Sequence, residues 1–163
     1  MKQDNSATMR TMQQLSPTTF IINGEPASKS NSRKLVTIHG RPAFIKSQKA
    51  RDYGVMFKQQ CPKLDPMFDG DVAIIMTIHY ASRRPDLDET LILDLMQDLI
   101  YTNDRQVKER HTYWALDKES PHTEITIVSL DQRAAIASLL QGRGSVSLDQ
   151  KKTARRRSEG EAG

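Results

Sequence analysis

The sequence predicts a single α+β domain in which a mixed β-sheet of about four or five strands is packed by two main helices. Two patterns carry this prediction: short β-branched or alternating runs typical of strands, and two longer segments with apolar residues at helical spacing. The chain has 163 residues, of which 37% are hydrophobic and 27% charged. That length and balance are typical of one folded globular domain with its own core.

The predicted strands are β-branched or aromatic segments that end at turn residues. The run at 72–80 is hydrophobic almost throughout, so we expect a central strand there. The dipeptide Asn23-Gly24 favours a tight turn because both residues tolerate positive φ. His39-Gly40-Arg41 separates two short runs and indicates a hairpin. The strand segments are 18–22, 35–39, 42–45, 72–80, 107–116 and 123–130.

Two segments carry the apolar periodicity of helices. A helix is expected over 48–60, because Ser47 has the chemistry of an N-cap and Pro62 prevents a longer continuation. A second helix is expected over 89–100, with Asp88 placed as its N-cap. Its predicted buried face consists of Leu91, Ile92, Leu95, Met96 and Leu99. Residues 134–140 are compatible with one short amphipathic helix.

The chain divides into three predicted regions: a disordered polar leader at 1–16, the folded domain at 17–130, and a short helix with a disordered basic tail at 131–163. No apolar run reaches the roughly 18 residues that a membrane span needs, and the N-terminus lacks a signal-peptide pattern. We therefore expect a cytoplasmic protein. Cys61 is the single cysteine, which excludes an intramolecular disulfide and a thiolate zinc cluster.

Charge is distributed unevenly although the net charge is only +4. Residues 23–53 contain seven basic and two acidic side chains, whereas residues 86–104 contain six acids and no base. The first segment is suited to phosphates and the second to divalent cations.

The acidic segment contains a pattern that favours metal binding. Asp86 and Asp88 follow a predicted strand at i and i+2, so their side chains point the same way in an extended chain. Asp104 follows one helix later, which predicts that three carboxylates converge. Oxygen ligands of this kind suit Mg²⁺, with Mn²⁺ as an alternative ion. An Asp-x-Asp at a strand-to-helix junction is equally typical of an ordinary turn and N-cap, and spacing alone leaves both interpretations open.

Three stretches resemble the RusA family of Holliday-junction resolvases. They are Arg84-Pro85-Asp86-Leu87-Asp88, the helix containing Leu93-Asp94-Leu95, and Tyr101-Thr102-Asn103-Asp104-Arg105-Gln106-Val107. The loop Pro26-x-Ser28-x-x-Asn31 is similar to the N-terminal loop of that family. The resemblance covers roughly residues 20–130.

The resemblance implies that Asp86, Asp88 and Asp104 are catalytic, magnesium-binding aspartates, with Asp94 as a supporting acid. It also implies a homodimer that nicks four-way DNA junctions symmetrically, in recombination or repair, in a bacterial or phage setting. The sequence departs from the family at Glu89, where Asn is usual and which we interpret as an additional ligand, and at Asn103, where an acid is usual. The segment between Asp88 and Asp104 is also a few residues short.

A lysine on the family's helix has no clear counterpart here, since Thr90 and Ile92 occupy the candidate positions. Its absence makes two alternatives credible. One is a DNA-structure-binding protein of the same fold without cleavage, and the other is a metal-dependent nuclease acting on flaps or single strands.

Six residues are expected to contact DNA, because they are basic or amide side chains in the basic segment or beside the acidic motif. They are Lys29, Asn31, Arg33, Lys46, Arg83 and Arg84. The four histidines, His39, His79, His111 and His122, show no metal-ligand spacing and are expected to be surface or strand residues. Tyr101, Tyr113 and Trp114 are expected to serve the core.

Overall fold

The computed structural model describes residues 17–28, 30–132 and 134–142. The chain divides into two compact units, Met1–Leu130 and Asp131–Gly163. In the second unit the structure describes one helix, α3, at 134–142. The predicted leader and most of the predicted basic tail lie outside the described residues.

The described part of the first unit contains six strands and two α-helices. In chain order they are β1 (Thr18–Asn23), β2 (Arg33–Ile38), β3 (Arg41–Lys46), α1 (Gln48–Gln60), β4 (Val72–Tyr80), α2 (Thr90–Met96), a 3₁₀ helix (Asp104–Gln106), β5 (Val107–Leu116) and β6 (His122–Ser129). The predicted α+β class is confirmed.

One four-stranded mixed sheet has the order β1-β6-β4-β5, and β2 and β3 form a separate hairpin. The β4–β5 pair is parallel, while β6 is antiparallel to both β1 and β4. The parallel pair requires a long crossover, which the segment 81–106 supplies. This crossover contains the acidic motif and α2.

The hydrophobic core lies on one face of the sheet. Alternate residues of β4, including Ile74, Met76 and Ile78, join buried side chains of α1 and α2 in one cluster. Gly54 of α1 faces α2, since a Cβ atom there would be in van der Waals contact with Leu95 Cδ2, at 3.4 Å. The two helices and the sheet therefore fix the positions of the loops between them.

α1 has the predicted bounds: the Ser47 side chain accepts a hydrogen bond from the Ala50 N–H, and the helix ends at Gln60, before Pro62. The second helix is shorter than predicted, because it begins at Thr90 and ends at Met96. Asp98 adopts a φ of 64°, which breaks the helical path, and the N–H groups of Leu99 and Ile100 both donate to the Met96 carbonyl. Because the apolar periodicity continues through Leu99, the predicted end of this helix, at residue 100, was wrong. None of the helices described is long and apolar enough to cross a membrane.

Candidate active site and nucleic-acid interface

Tyr80, the last residue of β4, fixes the acidic loop at the end of the strand. Its buried hydroxyl donates to the Asp86 carbonyl at 3.2 Å and accepts from the Asp88 N–H at 3.3 Å. The Asp88 carboxylate accepts the Thr90 N–H at 3.0 Å and so connects the loop to the start of α2. Asp88 was predicted as the N-cap, but the structure places Glu89 at that position, one residue later.

β5 supports the same loop from the neighbouring strand. The Trp114 indole N–H donates to the Pro85 carbonyl at 3.1 Å, and its ring stacks on Tyr80 with centroids 5.9 Å apart. Arg110 pairs with Glu89 at 3.3 Å. The expectation that Tyr113 and Trp114 serve the core was wrong, since both are more than a third exposed, whereas Tyr101 is fully buried as expected.

Glu25 joins the acidic loop from the other end of the chain. Gly24 turns the backbone at a φ of 102°, where a Cβ atom would lie 2.2 Å from Met56 Cε. Glu25 then accepts the Ala81 N–H at 2.9 Å and pairs with Lys49 at 3.3 Å. Sequence reasoning missed Glu25. The turn at Asn23-Gly24 was the available signal, because it directs the chain from β1 toward the end of β4.

Three acids of this region act electrostatically on the Tyr80 hydroxyl. Burial raises the pKa of the Tyr80 hydroxyl, and the negative charges of Asp88, Glu25 and Glu89 raise it further, although the hydrogen bond from the Asp88 N–H opposes them. Several carboxylates therefore face a common region at the end of β4. Such an arrangement favours a cation, and an all-oxygen donor set fits Mg²⁺ chemically.

Asp104 occupies the first position of the 3₁₀ helix and is held there by its neighbours. Asn103 and Gln106 form a capping box at the start of that helix. The Gln106 side chain also donates to the Phe68 and Gly70 carbonyls, at 2.8 and 2.9 Å. Asn103, where the resemblance leads us to expect an acid, thus has a capping role. Gln106 is a positioning residue that sequence reasoning did not single out.

Asp94 and Asp104 lie near a second tyrosine. Burial raises the pKa of Tyr101, and the charges of Asp104 and Asp94 add to the effect. The Tyr101 hydroxyl donates to the Leu93 carbonyl of α2 at 2.8 Å, which connects this group to the helix. Of the predicted acids, Asp88 and Glu89 therefore lie near Tyr80, and Asp94 and Asp104 lie near Tyr101. Asp86 contacts Tyr80 through its backbone carbonyl. The ligand atoms of Asp86, Asp88 and Asp104 are not all within 4.8 Å of one another.

A cavity of about 570 Å³ lies between the hairpin, the start of α1 and α2. Its lining includes Arg33 and Lys46 from the hairpin and Thr90 and Asp94 from α2. Two of the predicted DNA-binding cations thus line the same cavity as Asp94 of α2. Phe44, which is 71% exposed, lies beside them.

The other predicted DNA contacts have different positions. Arg83 and Arg84 are exposed in the acidic loop. The exposed Asn31 uses its backbone, donating to the Ser28 carbonyl and accepting from the Ser47 hydroxyl, so it ties the loop to the start of α1. Lys29 lies outside the described residues.

One histidine group could not be seen in the linear spacing, although its two histidines are strand residues as expected. His79, His122 and Glu124 bring one ligand atom each within 4.8 Å of the others, and they form the only such group of three in the described part of the chain. Linear spacing could not reveal it, because His79 lies on β4 and is directly opposite His122 on β6.

The fold and site define a small α+β protein that presents clustered carboxylates beside a basic cavity. A family model described as endodeoxyribonuclease RusA matches residues 23–128. The match covers more than half of the chain, so this chain belongs to the RusA family, and membership implies endodeoxyribonuclease activity. No curated protein was found to match the sequence.

Proposed function

We propose that this protein is a magnesium-dependent endonuclease that resolves four-way DNA junctions by paired symmetric nicks. Asp86, Asp88 and Asp104 are the proposed metal ligands, with Glu89 and Asp94 in supporting positions. The observation that carries this proposal is the acidic loop held by Tyr80 at the end of β4. Two partly buried hydrogen bonds from Tyr80 position the backbone of the loop, so the carboxylates are presented on a fixed backbone.

A bound divalent ion would polarise the scissile phosphate and lower the pKa of a water ligand. The protein's own contribution is the positioning of charge. Asp88 is oriented by the Thr90 N–H, and Asp104 is presented by the capped 3₁₀ helix. Glu25 increases the negative charge near Asp88 and Glu89, which favours retention of a cation.

The basic cavity supports a role for the hairpin in holding DNA. Lys46 and Arg33 line the same cavity as Thr90, which is one of the two candidate positions for the lysine of the family. A cation from the hairpin can therefore reach the region that the family's helix lysine would serve. We propose that Lys46 and Arg33 contact the phosphate backbone there, together with Arg83 and Arg84 from the acidic loop. Lys29 and Asn31 are the proposed contacts of the preceding loop.

Phe44 favours a branched substrate over continuous duplex. Its exposed ring lies among cations on a hairpin. Unstacked bases at a junction offer π faces to such a ring, whereas bases within a duplex are stacked on each other. We propose that Phe44 stacks on a base at the branch point.

Paired nicks need two active sites, and the described chain provides one acidic loop. We therefore propose that the active form is a homodimer. Light scattering coupled to size exclusion measures its mass: a species of about twice the 18.5 kDa chain mass is expected, and a strictly monomeric enzyme that still makes paired nicks would contradict the proposal.

A second candidate is a DNA-structure-binding protein without cleavage. The separation of the acids into two groups and the threonine at position 90 favour it. A nuclease acting on flaps or single strands remains the third alternative.

One assay separates these functions. Labelled four-way, flap and linear duplex DNA are incubated with the protein, with and without Mg²⁺. We expect paired nicks in the four-way junction only with Mg²⁺. Junction binding without nicking would favour the second candidate, and preferred cutting of flaps or single strands would favour the third.

A further inference from the structure

We propose that His79, His122 and Glu124 form a site for a borderline transition-metal ion such as Zn²⁺, separate from the acidic loop. The three residues lie on the face of the sheet opposite the core cluster, because they alternate with the buried Ile78, Tyr80, Thr123 and Ile125. β4 contributes one ligand and β6 contributes two.

The distances are close to those of a metal centre. Glu124 Oε1 lies 3.7 Å from His79 Nε2 and 3.8 Å from His122 Nε2. Ligand atoms around a tetrahedral ion with bonds of about 2.0 Å are roughly 3.3 Å apart. Closing the site requires the Glu124 carboxylate to approach both histidines by about 0.4–0.5 Å, together with a rotation of the rings.

The hydrogen bond of His122 selects the tautomer that can bind metal. His122 Nδ1 lies 2.7 Å from the Ser120 carbonyl oxygen, which only accepts hydrogen bonds, so Nδ1 carries a proton. In the neutral ring the Nε2 lone pair therefore faces Glu124. A histidine ligand that donates its other N–H to a carbonyl is the usual arrangement in metal centres.

The two imidazole rings lie close enough to bind one ion. The ring centroids of His79 and His122 are 4.0 Å apart and the ring planes are nearly parallel. Both rings must therefore rotate out of this stack so that each Nε2 lone pair, which lies in the ring plane, points at the same ion. Asp117 adds negative charge, with Oδ2 3.9 Å from His122 Nδ1.

The ion would connect β4 to β6 one residue before Tyr80. Three protein ligands leave a coordination position for solvent. Because nitrogen ligands select Zn²⁺, Co²⁺ or Ni²⁺ over Mg²⁺, the site is chemically distinct from the all-carboxylate loop. It would stabilise the end of the sheet from which the acidic loop departs.

The test uses the full-length protein after removal of metals with a chelator. Co²⁺ is titrated by its visible absorption, and Zn²⁺ by calorimetry and by the shift in Tm. We expect one equivalent bound and a rise in Tm of about 5–10 °C at a Zn²⁺ concentration of roughly 100 times Kd. The same concentration of Mg²⁺ should not reproduce this rise.

Variants locate the site. H122N and E124Q should each weaken Co²⁺ and Zn²⁺ binding by at least about 100-fold. Glu124 is partly exposed, so E124Q tests the site with little risk to folding, which circular dichroism checks. The matched control H39N removes a histidine from a hairpin turn at a φ of 49°, which Asn tolerates, and should bind like the wild type.

The double variant D86N/D88N should also retain Zn²⁺ binding. Wild-type protein that binds no Co²⁺ or Zn²⁺ at micromolar concentrations would overturn the proposal. So would unchanged affinity in both H122N and E124Q, or loss of binding in D86N/D88N.

Discussion

The Tyr80 hydroxyl holds the backbone of the acidic loop, because it donates to the carbonyl of Asp86 and accepts the N–H of Asp88. A residue at the end of a buried strand thus sets the position of two proposed metal ligands. Tyr80 thereby couples the loop to the core, and Trp114 of β5 adds a second contact through the Pro85 carbonyl.

Removal of that hydroxyl should affect the loop more than the rest of the fold. In Y80F the Asp88 N–H and the Asp86 carbonyl lose their partner, so we expect a loss of about 1–2 kcal/mol in unfolding free energy. Junction nicking should fall at least tenfold, since the loop backbone that carries the carboxylates is no longer held in position. Chemical denaturation and single-turnover nicking measure the two effects. Y113F, which changes an exposed tyrosine of β5, is the control, and equal nicking in both variants would refute the role of Tyr80.

Glu25 should contribute to the affinity for the metal ion. E25Q keeps an acceptor for the Ala81 N–H but removes one negative charge from the group around Tyr80. We expect the Mg²⁺ concentration for half-maximal nicking to rise about tenfold, because the electrostatic attraction for a divalent ion is weaker. A titration of nicking against Mg²⁺ checks this. D52N removes an exposed acid of α1 and should leave the Mg²⁺ dependence of nicking unchanged. If D52N raised the half-maximal Mg²⁺ concentration as much as E25Q, the effect of E25Q would reflect only the change in net charge.

Phe44 should matter for branched DNA specifically. F44A removes a ring that we expect to stack on a base, which costs about 1–3 kcal/mol of binding, or roughly 5- to 150-fold in Kd for the junction. L35A is the matched control, because exposed Leu35 lies directly opposite Phe44 in the hairpin. Fluorescence anisotropy with junction and duplex DNA measures both. The idea fails if F44A weakens duplex and junction binding equally.

Cys61 should be unreactive in the folded protein. Burial raises the pKa of its thiol from 9.0 to about 12, so little thiolate exists at neutral pH. The folded state then retains its proton longer than the unfolded chain, and stability should decrease as pH rises from about 9 to about 12. Alkylation of native protein at pH 8 should be slow compared with urea-unfolded protein. C61A should lose less stability than the wild type between about pH 9 and pH 12. If stability depends on pH identically in C61A and the wild type, the fall is not caused by the Cys61 thiol.

Much of the fold was predictable because strands and α1 carry clear local signals. Ser47 and Pro62 bounded α1, and the apolar run at 72–80 matched β4. The end of α2 was not predictable from periodicity, because a distant part of the chain holds the segment after Met96: the N–H groups of Leu64 and Phe68 donate to the carbonyls of Leu99 and Ile100.

The site was predictable only where its residues are close in sequence. The pair Asp86 and Asp88 could be found from spacing, and the family resemblance connected Asp104 to them. Glu25 and Tyr80 could not be found this way, because their roles arise from contacts between β1, β4 and the loop. The pairing of His79 with His122 depends on strand register, which the sequence pattern does not specify across a non-local connection.

The central claim is that the acids at the end of β4 cut DNA. D88N tests it most directly, because Asn retains an oxygen that can accept the Thr90 N–H but loses the charge that would bind the metal. In a single-turnover assay on a four-way junction with Mg²⁺, the account predicts that nicking by D88N falls at least about 100-fold while junction binding is unchanged. Nicking by D88N at the wild-type rate would contradict it.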